Sequence, residues 1–279
     1  MRNLAGHRLL ICGKGGSGKS SFSTLLALEL YNRDYDVVLI DGDASNPGGL
    51  VRLAFGAGEG PKSLLDFFGG REKVTCPVDD PSPLTRASDS MPVADSHIDL
   101  AEIPSEYYLR HNRMVLFQVG KIRRPYEGCD GPMSKVTRDF VVRGDWVTVI
   151  DVEAGIEHFG RGVEKNVDMI LVLVDPSFES FEIAARVARL GTMMNIPHIL
   201  AVLNAVDSRA TGITMREALE KGNVPVVGHV RYDRAVRLAG MRGDALGQCG
   251  ASKDVGRIVS NLETVLEPAE TTERQWRAQ

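Results

Sequence analysis

The run RLLIC (residues 8–12) leads straight into GKGGSGKS (13–20). A short apolar run closed by glycines reads as a buried strand of the parallel type. The glycines let successive backbone N–H groups turn inward around a phosphate chain. A helix must follow, because the pattern works only when a helix N-terminus faces the same charge. The expected helix runs from about Lys19 to Asn32, with Phe22, Leu25, Leu26 and Leu30 on one face. One stretch therefore fixes a strand, a loop and a helix in that order.

The same alternation recurs along the chain. DVVLIDGD (36–43), WVTVIDVEAG (146–155), MILVLVD (169–175), HILAVLN (198–204) and VPVVGHV (224–230) read as strands, and HIDLAEI (97–103) as a weaker one. Helical patterns lie at about 178–194, 212–221, 233–242 and 253–266. Strands alternating with helices imply a three-layer α/β fold with a mostly parallel central sheet flanked by helices. Ligands in such sheets sit at the C-terminal strand ends, where Gly13, Asp41, Asp151 and Asn204 lie. Residues 76–97, rich in Pro, Ser and Asp, and 118–134, rich in Gly and Pro, are expected as surface excursions. With 279 residues, 43% of them hydrophobic, and no visible repeat, the expectation is a single domain over 1–279.

The chemistry follows from the loop. Gly13, Lys14, Gly15, Gly16, Ser17, Gly18, Lys19, Ser20 and Ser21 form the expected nucleotide cradle. Lys19 is placed to reach the β- and γ-phosphates and the Ser20 hydroxyl to bind Mg²⁺. Asp41 and Asp43 end the second strand, and two carboxylates beside a polyphosphate imply a metal or a catalytic water. Asp43 is assigned to the attacking water and Asp41 to the Mg²⁺ shell; capping of the DASNPGG turn is the alternative use. Asp151, after VTVI, suits a carboxylate that touches Mg²⁺ through water. Gly155 is placed to offer a backbone N–H to the γ-phosphate.

Bulk properties exclude several classes. A net charge of −4 gives no general attraction to nucleic acid. No stretch is apolar for long enough to span a bilayer, and the polar ETTERQWRAQ end is not expected to lie on one. MRNLAGHRLLIC lacks a cleavage region, so no signal peptide is expected. Cys12, Cys76, Cys129 and Cys249 are scattered without a C-x-x-C pair, which suggests a reducing, cytoplasmic compartment.

Taken together, KGGSGKS, the D-x-D strand end and the D-x-x-A-G turn resemble the deviant-Walker P-loop NTPases. These include the MinD/ParA positioning and partition ATPases, the nitrogenase iron protein and metallocluster assembly ATPases. Within that group DVEAGIEHFGRG (151–162) and VDPSFES (174–180) look most similar to CooC-type accessory proteins for nickel insertion into carbon monoxide dehydrogenase. The resemblance implies ATP/ADP and Mg²⁺ as cofactors, a homodimer formed on ATP binding, and a client metalloenzyme. It implies that Lys14 crosses to the partner's nucleotide and acts as an arginine finger does. It makes Asn204 the adenine-reading position and GHVRYDRAVRLAGMRGDAL (228–246) the closing segment. Glu153, Glu157, His158 and Arg161 fall just beyond the switch, where helix-start and ion-pair uses are also open. CooC-type proteins carry C-x-C at the dimer face, and two such pairs close a thiolate site for Ni²⁺ or Zn²⁺. This sequence has Cys129 in the first position and Gly131 in the second. Arg123 and Arg124 stand nearby, available to activate the thiol or dock an acidic partner. The alternatives carried forward are a MinD/ParA-type positioning ATPase and an Fe–S redox protein, for which Cys76 would have to be the second cluster ligand.

Overall fold

Parallel strands buried on both faces need apolar residues at every position, and the strand segments have them. The computed structural model describes residues 3–86 and 91–266. In chain order the elements are β1 (Arg8–Gly13), α1 (Lys19–Asn32), β2 (Val37–Asp41), α2 (Gly49–Phe55), α3 (Leu64–Phe67), α4 (Val93–Ser96), β3 (Leu109–His111), β4 (Met114–Gln118), α5 (Gly131–Asp139), β5 (Val147–Asp151), β6 (Met169–Val174), α6 (Phe178–Met193), β7 (His198–Val206), α7 (Arg209–Lys221), β8 (Val226–Arg231), α8 (Arg234–Arg242) and α9 (Gly250–Val265). The strand order is β3-β4-β2-β5-β1-β6-β7-β8, and only β3 runs antiparallel to its neighbour. The expected α/β architecture is therefore present.

Side chains leave each strand alternately to opposite faces. Leu9 and Ile11 of β1 join Leu26 and Leu30 of α1 and Ile258 and Leu262 of α9 on one face. Leu10 and Cys12 join Val136 of α5, Val187 of α6 and Leu219 of α7 on the other. All four apolar residues predicted on the α1 face are buried. Among the described residues no helix is long and apolar enough to cross a membrane. The C-terminal ETTERQWRAQ segment lies outside the described residues.

Two expectations need correction. HIDLAEI is not a strand: Ile98 makes one bridge to Val142, and a 3₁₀ turn follows at Leu100–Glu102. Asp99 and Glu102 form a capping box, which satisfies the backbone locally and turns the chain out of the sheet. The strand that flanks β2 is instead MVLFQ (β4), whose five residues are all buried. The 118–134 segment is not wholly loop either. It becomes α5 at Gly131, with Pro132 in the first turn, where a missing N–H costs nothing.

The register places the chemistry. Asp41 pairs directly with Asp151 across β2 and β5, and Ile11 pairs with Asp151 across β1 and β5. Gly13 closes β1 with φ +140°. A β-carbon there would sit 2.4 Å from the Leu173 carbonyl of β6. Gly13→Ala is expected to cost about 3 kcal/mol, from strain and backbone displacement together. Thermal unfolding should show a Tm drop of about 6–12 °C.

Candidate nucleotide-binding site

The loop between β1 and α1 is formed as the sequence requires. Gly18 at the α1 N-cap has φ +92°, and an added β-carbon would lie 2.6 Å from Asn204 Nδ2. Asn204 in turn donates to the Ser17 carbonyl at 2.7 Å, so β7 braces the loop. Lys19 is buried, and its ammonium donates to the carbonyls of Lys14 (3.3 Å) and Gly13 (3.5 Å). The Ser17 hydroxyl oxygen is buried without a partner. A charged lysine held by its own loop's carbonyls and an orphaned hydroxyl are what a polyphosphate-binding loop leaves when its own groups satisfy it incompletely.

At the floor of the loop the Ser20 hydroxyl donates to Asp151 Oδ2 at 2.6 Å and Ser23 donates to Oδ1 at 3.3 Å. Burial pushes the Asp151 carboxyl up to about 7, against the Ser20 hydrogen bond and the Lys19 charge; Asp41 and Asp43 push it further. Such a carboxyl is poised to exchange its proton for a divalent cation. Ser20 and Asp151 thus fit a hydrated Mg²⁺.

The two carboxylates at the C-terminal end of β2 have separate fates. Asp41 is directed at Lys121, whose ammonium lies 2.8 Å from Oδ1, while Gln118 donates to Oδ2 at 3.4 Å. Burial raises the Asp41 carboxyl, and Lys121 and Gln118 pull against that. A place for Asp41 in the Mg²⁺ shell would require this buried ion pair to open. The reading missed Lys121 because it stands 80 residues away in sequence. Asp43 Oδ1 accepts from Ser45 N (2.9 Å), Ser45 Oγ (2.6 Å) and Asn46 N (3.2 Å), shaping the turn after β2.

Beside the loop a cavity of about 370 Å³ is lined by Gly16, Phe22, Asn204, Tyr232, Val236 and Arg237. It joins the loop to the segment expected to close the site. Asp233 holds that corner, accepting from Ala235 N at 2.8 Å and from Ala251 N at 2.9 Å.

Lys14 leaves the loop on its outer side. Its ammonium donates to Ser177 Oγ at 3.0 Å and lies 3.5 Å from Asp175 Oδ2. Burial pushes Asp175 up, but hydrogen bonds from Ser177 and Ser180 and the Lys14 charge outweigh it and hold it below the ordinary carboxylate range. Both partners belong to the VDPSFES string, which was noted for its resemblance and not for this contact.

Gly155 donates its N–H to the Gly13 carbonyl at 3.1 Å, so contact with a phosphate would require that bond to open. His158 is buried between the Gly155 carbonyl (3.2 Å from Nε2) and Glu164, against Nδ1. Glu164, fully buried, had no signal in the sequence. Arg161 pairs with Asp130, the residue after exposed Cys129. Glu153 also meets Asp130: burial raises the Glu153 carboxyl, and the nearby Asp130 adds to that. Glu157 accepts from the Ile156 N–H at 2.9 Å, a local turn contact. Arg123 and Arg124 donate their backbone N–H groups to Glu127.

Comparison with known proteins agrees with this geometry. The profile described as "CobQ/CobB/MinD/ParA nucleotide binding domain" matches residues 9–246. An ATP-binding protein of Methanocaldococcus jannaschii is 31% identical, over 91% of this chain and 99% of its own length. The carbon monoxide dehydrogenase accessory protein CooC of Rhodospirillum rubrum is 25% identical over 85% of this chain and 88% of its own. Among solved structures, the cell division ATPase MinD of Pyrococcus furiosus superposes with a TM-score of 0.67 at 15% identity, covering 93% of this chain and 99% of its own. MinD of Pyrococcus horikoshii, complexed with Mg-ADP, gives 0.65 at 12% identity, over 94% and 97% of the two chains.

Asp151 makes stability pH-dependent. Its carboxyl binds a proton more tightly folded than unfolded, so its contribution is full below about 4 and is lost as pH rises towards about 7. In nucleotide-free, Mg²⁺-free buffer, Asp151→Asn should therefore match wild type near pH 4 and exceed it at pH 8 by roughly 2–4 kcal/mol. Urea unfolding across that range checks the sign, and the same variant should lose Mg²⁺-dependent hydrolysis.

Proposed function

The chain belongs to the CobQ/CobB/MinD/ParA nucleotide-binding family and is an ATPase; from that premise we propose that it acts as an ATP-driven dimerisation switch in the maturation of a metalloenzyme. The contact that carries this reading is the Arg161–Asp130 ion pair. It joins the segment that follows Asp151 directly to the loop bearing Cys129. A change at the nucleotide is thereby felt where a thiophilic metal or a client would bind.

In this reading the backbone N–H groups of the loop hold the phosphates, and the Asn204 cavity takes the base. Ser20, and Asp151 through water, hold Mg²⁺, which neutralises phosphate charge. Lys19 turns from its loop carbonyls to the β- and γ-phosphates. Asp43 keeps Oδ1 on the Ser45–Asn46 turn and orients water with Oδ2. Gly155 exchanges the Gly13 carbonyl for the γ-phosphate, and this moves His158, Arg161 and, through Asp130, Cys129.

Lys14 sets the condition for catalysis. Held by Ser177 and Asp175, it is parked on its own chain. Dimerisation releases it to the partner's nucleotide, where a cation supplied in trans stabilises the charge of phosphoryl transfer. The similarity to CooC supports a metal-handling client, with nickel as the first candidate cargo.

Three variants test the switch. Lys19→Ala should abolish nucleotide binding or hydrolysis. Lys14→Ala should bind ATP yet stay monomeric, with kcat lower by about 10³. Ser177→Ala removes one hydrogen bond to the parked lysine of each chain, so ATP should drive dimerisation at about 25-fold lower protein concentration, fivefold from each chain. Analytical ultracentrifugation with and without ATP reads all three, and unchanged dimerisation in Lys14→Ala would sink the assigned role. Metal analysis after anaerobic purification, for wild type and Cys129→Ala, tests the client side. ATP-dependent co-sedimentation with DNA or liposomes would favour a positioning ATPase instead.

A further inference from the structure

The position that lacks a cysteine in the C-x-C pattern lies against Cys76, which the sequence offered only as a required second cluster ligand. A β-carbon built on Gly131 would lie 2.6 Å from Cys76 Sγ and 3.3 Å from Cys129 Sγ. The two sulfurs are therefore no farther apart than the sum of those distances. Cys76 stands 53 positions before Cys129 in the numbering, yet its sulfur fills the space into which a side chain at 131 would project. Both thiols are reachable, Cys129 exposed and Cys76 half-buried.

The pair is held from both sides. Asp80, whose backbone N–H donates to the Cys76 carbonyl at 2.9 Å, pairs with buried Lys135 of α5 at 2.8 Å. That fastens the Cys76 turn onto α5. Arg71 donates to the Cys129 carbonyl at 2.5 Å, and its second guanidinium nitrogen, Nη2, is buried without a partner.

We propose that Cys76 and Cys129 together form a two-thiolate half-site for a thiophilic divalent cation, completed by the same pair from a second copy of this chain. Among the described residues no group of three His, Cys, Asp or Glu side chains converges on a metal position. Asp130 next door is occupied by Arg161. One chain thus supplies two ligands, and a closed tetrahedral shell needs four. Each thiol gives up its proton as its sulfur–metal bond forms, so four protons leave per metal and no electron is transferred. The shared shell rests on the dimerisation proposed above; the pairing of two sulfurs within one chain does not.

The test has two arms, both under anaerobic, reducing conditions on the full chain. The first probes the pair in the monomer with phenylarsine oxide. Its arsenic bonds to two sulfurs of one chain and its oxygen leaves as water with the two thiol protons. Wild type should take up one equivalent per chain, and Cys76→Ser and Cys129→Ser should each lose stable uptake. Uptake that survives in Cys76→Ser overturns the pair. The second arm titrates Co²⁺ with ATP present, reading thiolate-to-cobalt charge transfer and sedimentation. The expected result is one Co²⁺ per two chains with a tetrahedral four-thiolate spectrum. Each serine variant should weaken affinity by more than about 100-fold, beyond the loss of an outer partner. Cys76→Gly combined with Gly131→Cys should restore it, because removing the whole Cys76 side chain clears the space into which a second sulfur then enters from the helix start. One cobalt per chain, or no binding by wild type that passes the first arm, overturns the shared shell while leaving the pair intact.

Discussion

The Asp151 carboxylate, buried under the loop and bound by the Ser20 and Ser23 hydroxyls, is the point on which the rest of the site turns. Its charge is unfavourable where it sits, because burial and two nearby aspartates raise its proton affinity. The fold maintains it there through sheet register: β2 and β1 both pair with β5 at Asp151. A buried carboxyl in that position is stable as a proton donor or as a cation ligand, and unstable as a bare anion. Nucleotide-bound Mg²⁺ held there, as proposed, would resolve the conflict, and the site would then be stabilised by its ligand.

From Asp151 the chain continues into the segment proposed to respond to the nucleotide. Gly155 is tied to Gly13, His158 to Gly155 and Glu164, and Arg161 to Asp130. These are local, mostly polar contacts with short reach. In the proposed switch each would trade its partner for another when nucleotide binds, which is the physical condition for a two-state element. Lys14 follows the same logic on the other side of the loop, where Ser177 and Asp175 hold a cation whose proposed work lies in another chain.

Local signals made much of this legible. Gly-rich loop, apolar runs and helical spacing located β1, α1, β2, β5, β6 and α6 to α9 within a few residues. They failed at MVLFQ, an apolar run too short for its period to separate strand from helix, and at HIDLAEI, where Asp99 and Glu102 cap a turn. Site residues on the loop and at strand ends were legible because the motif fixes them in sequence. Lys121, Glu164 and Ser177 were not, and Cys76 entered only as the ligand one alternative required, since each reaches its partner only through the fold.

The sequence by itself determined the loop chemistry and the alternation that makes a parallel sheet. Both are encoded over stretches of eight to ten residues, in backbone freedom and hydrophobic period. Tertiary structure decided which charge meets which. It gave Asp41 to Lys121, left Asp151 to Ser20, parked Lys14 on Ser177, and brought Cys76 beside Cys129. Electrostatic pairing and thiol proximity depend on distance in space, and separation along the chain says nothing about that until the sheet and its helices have packed.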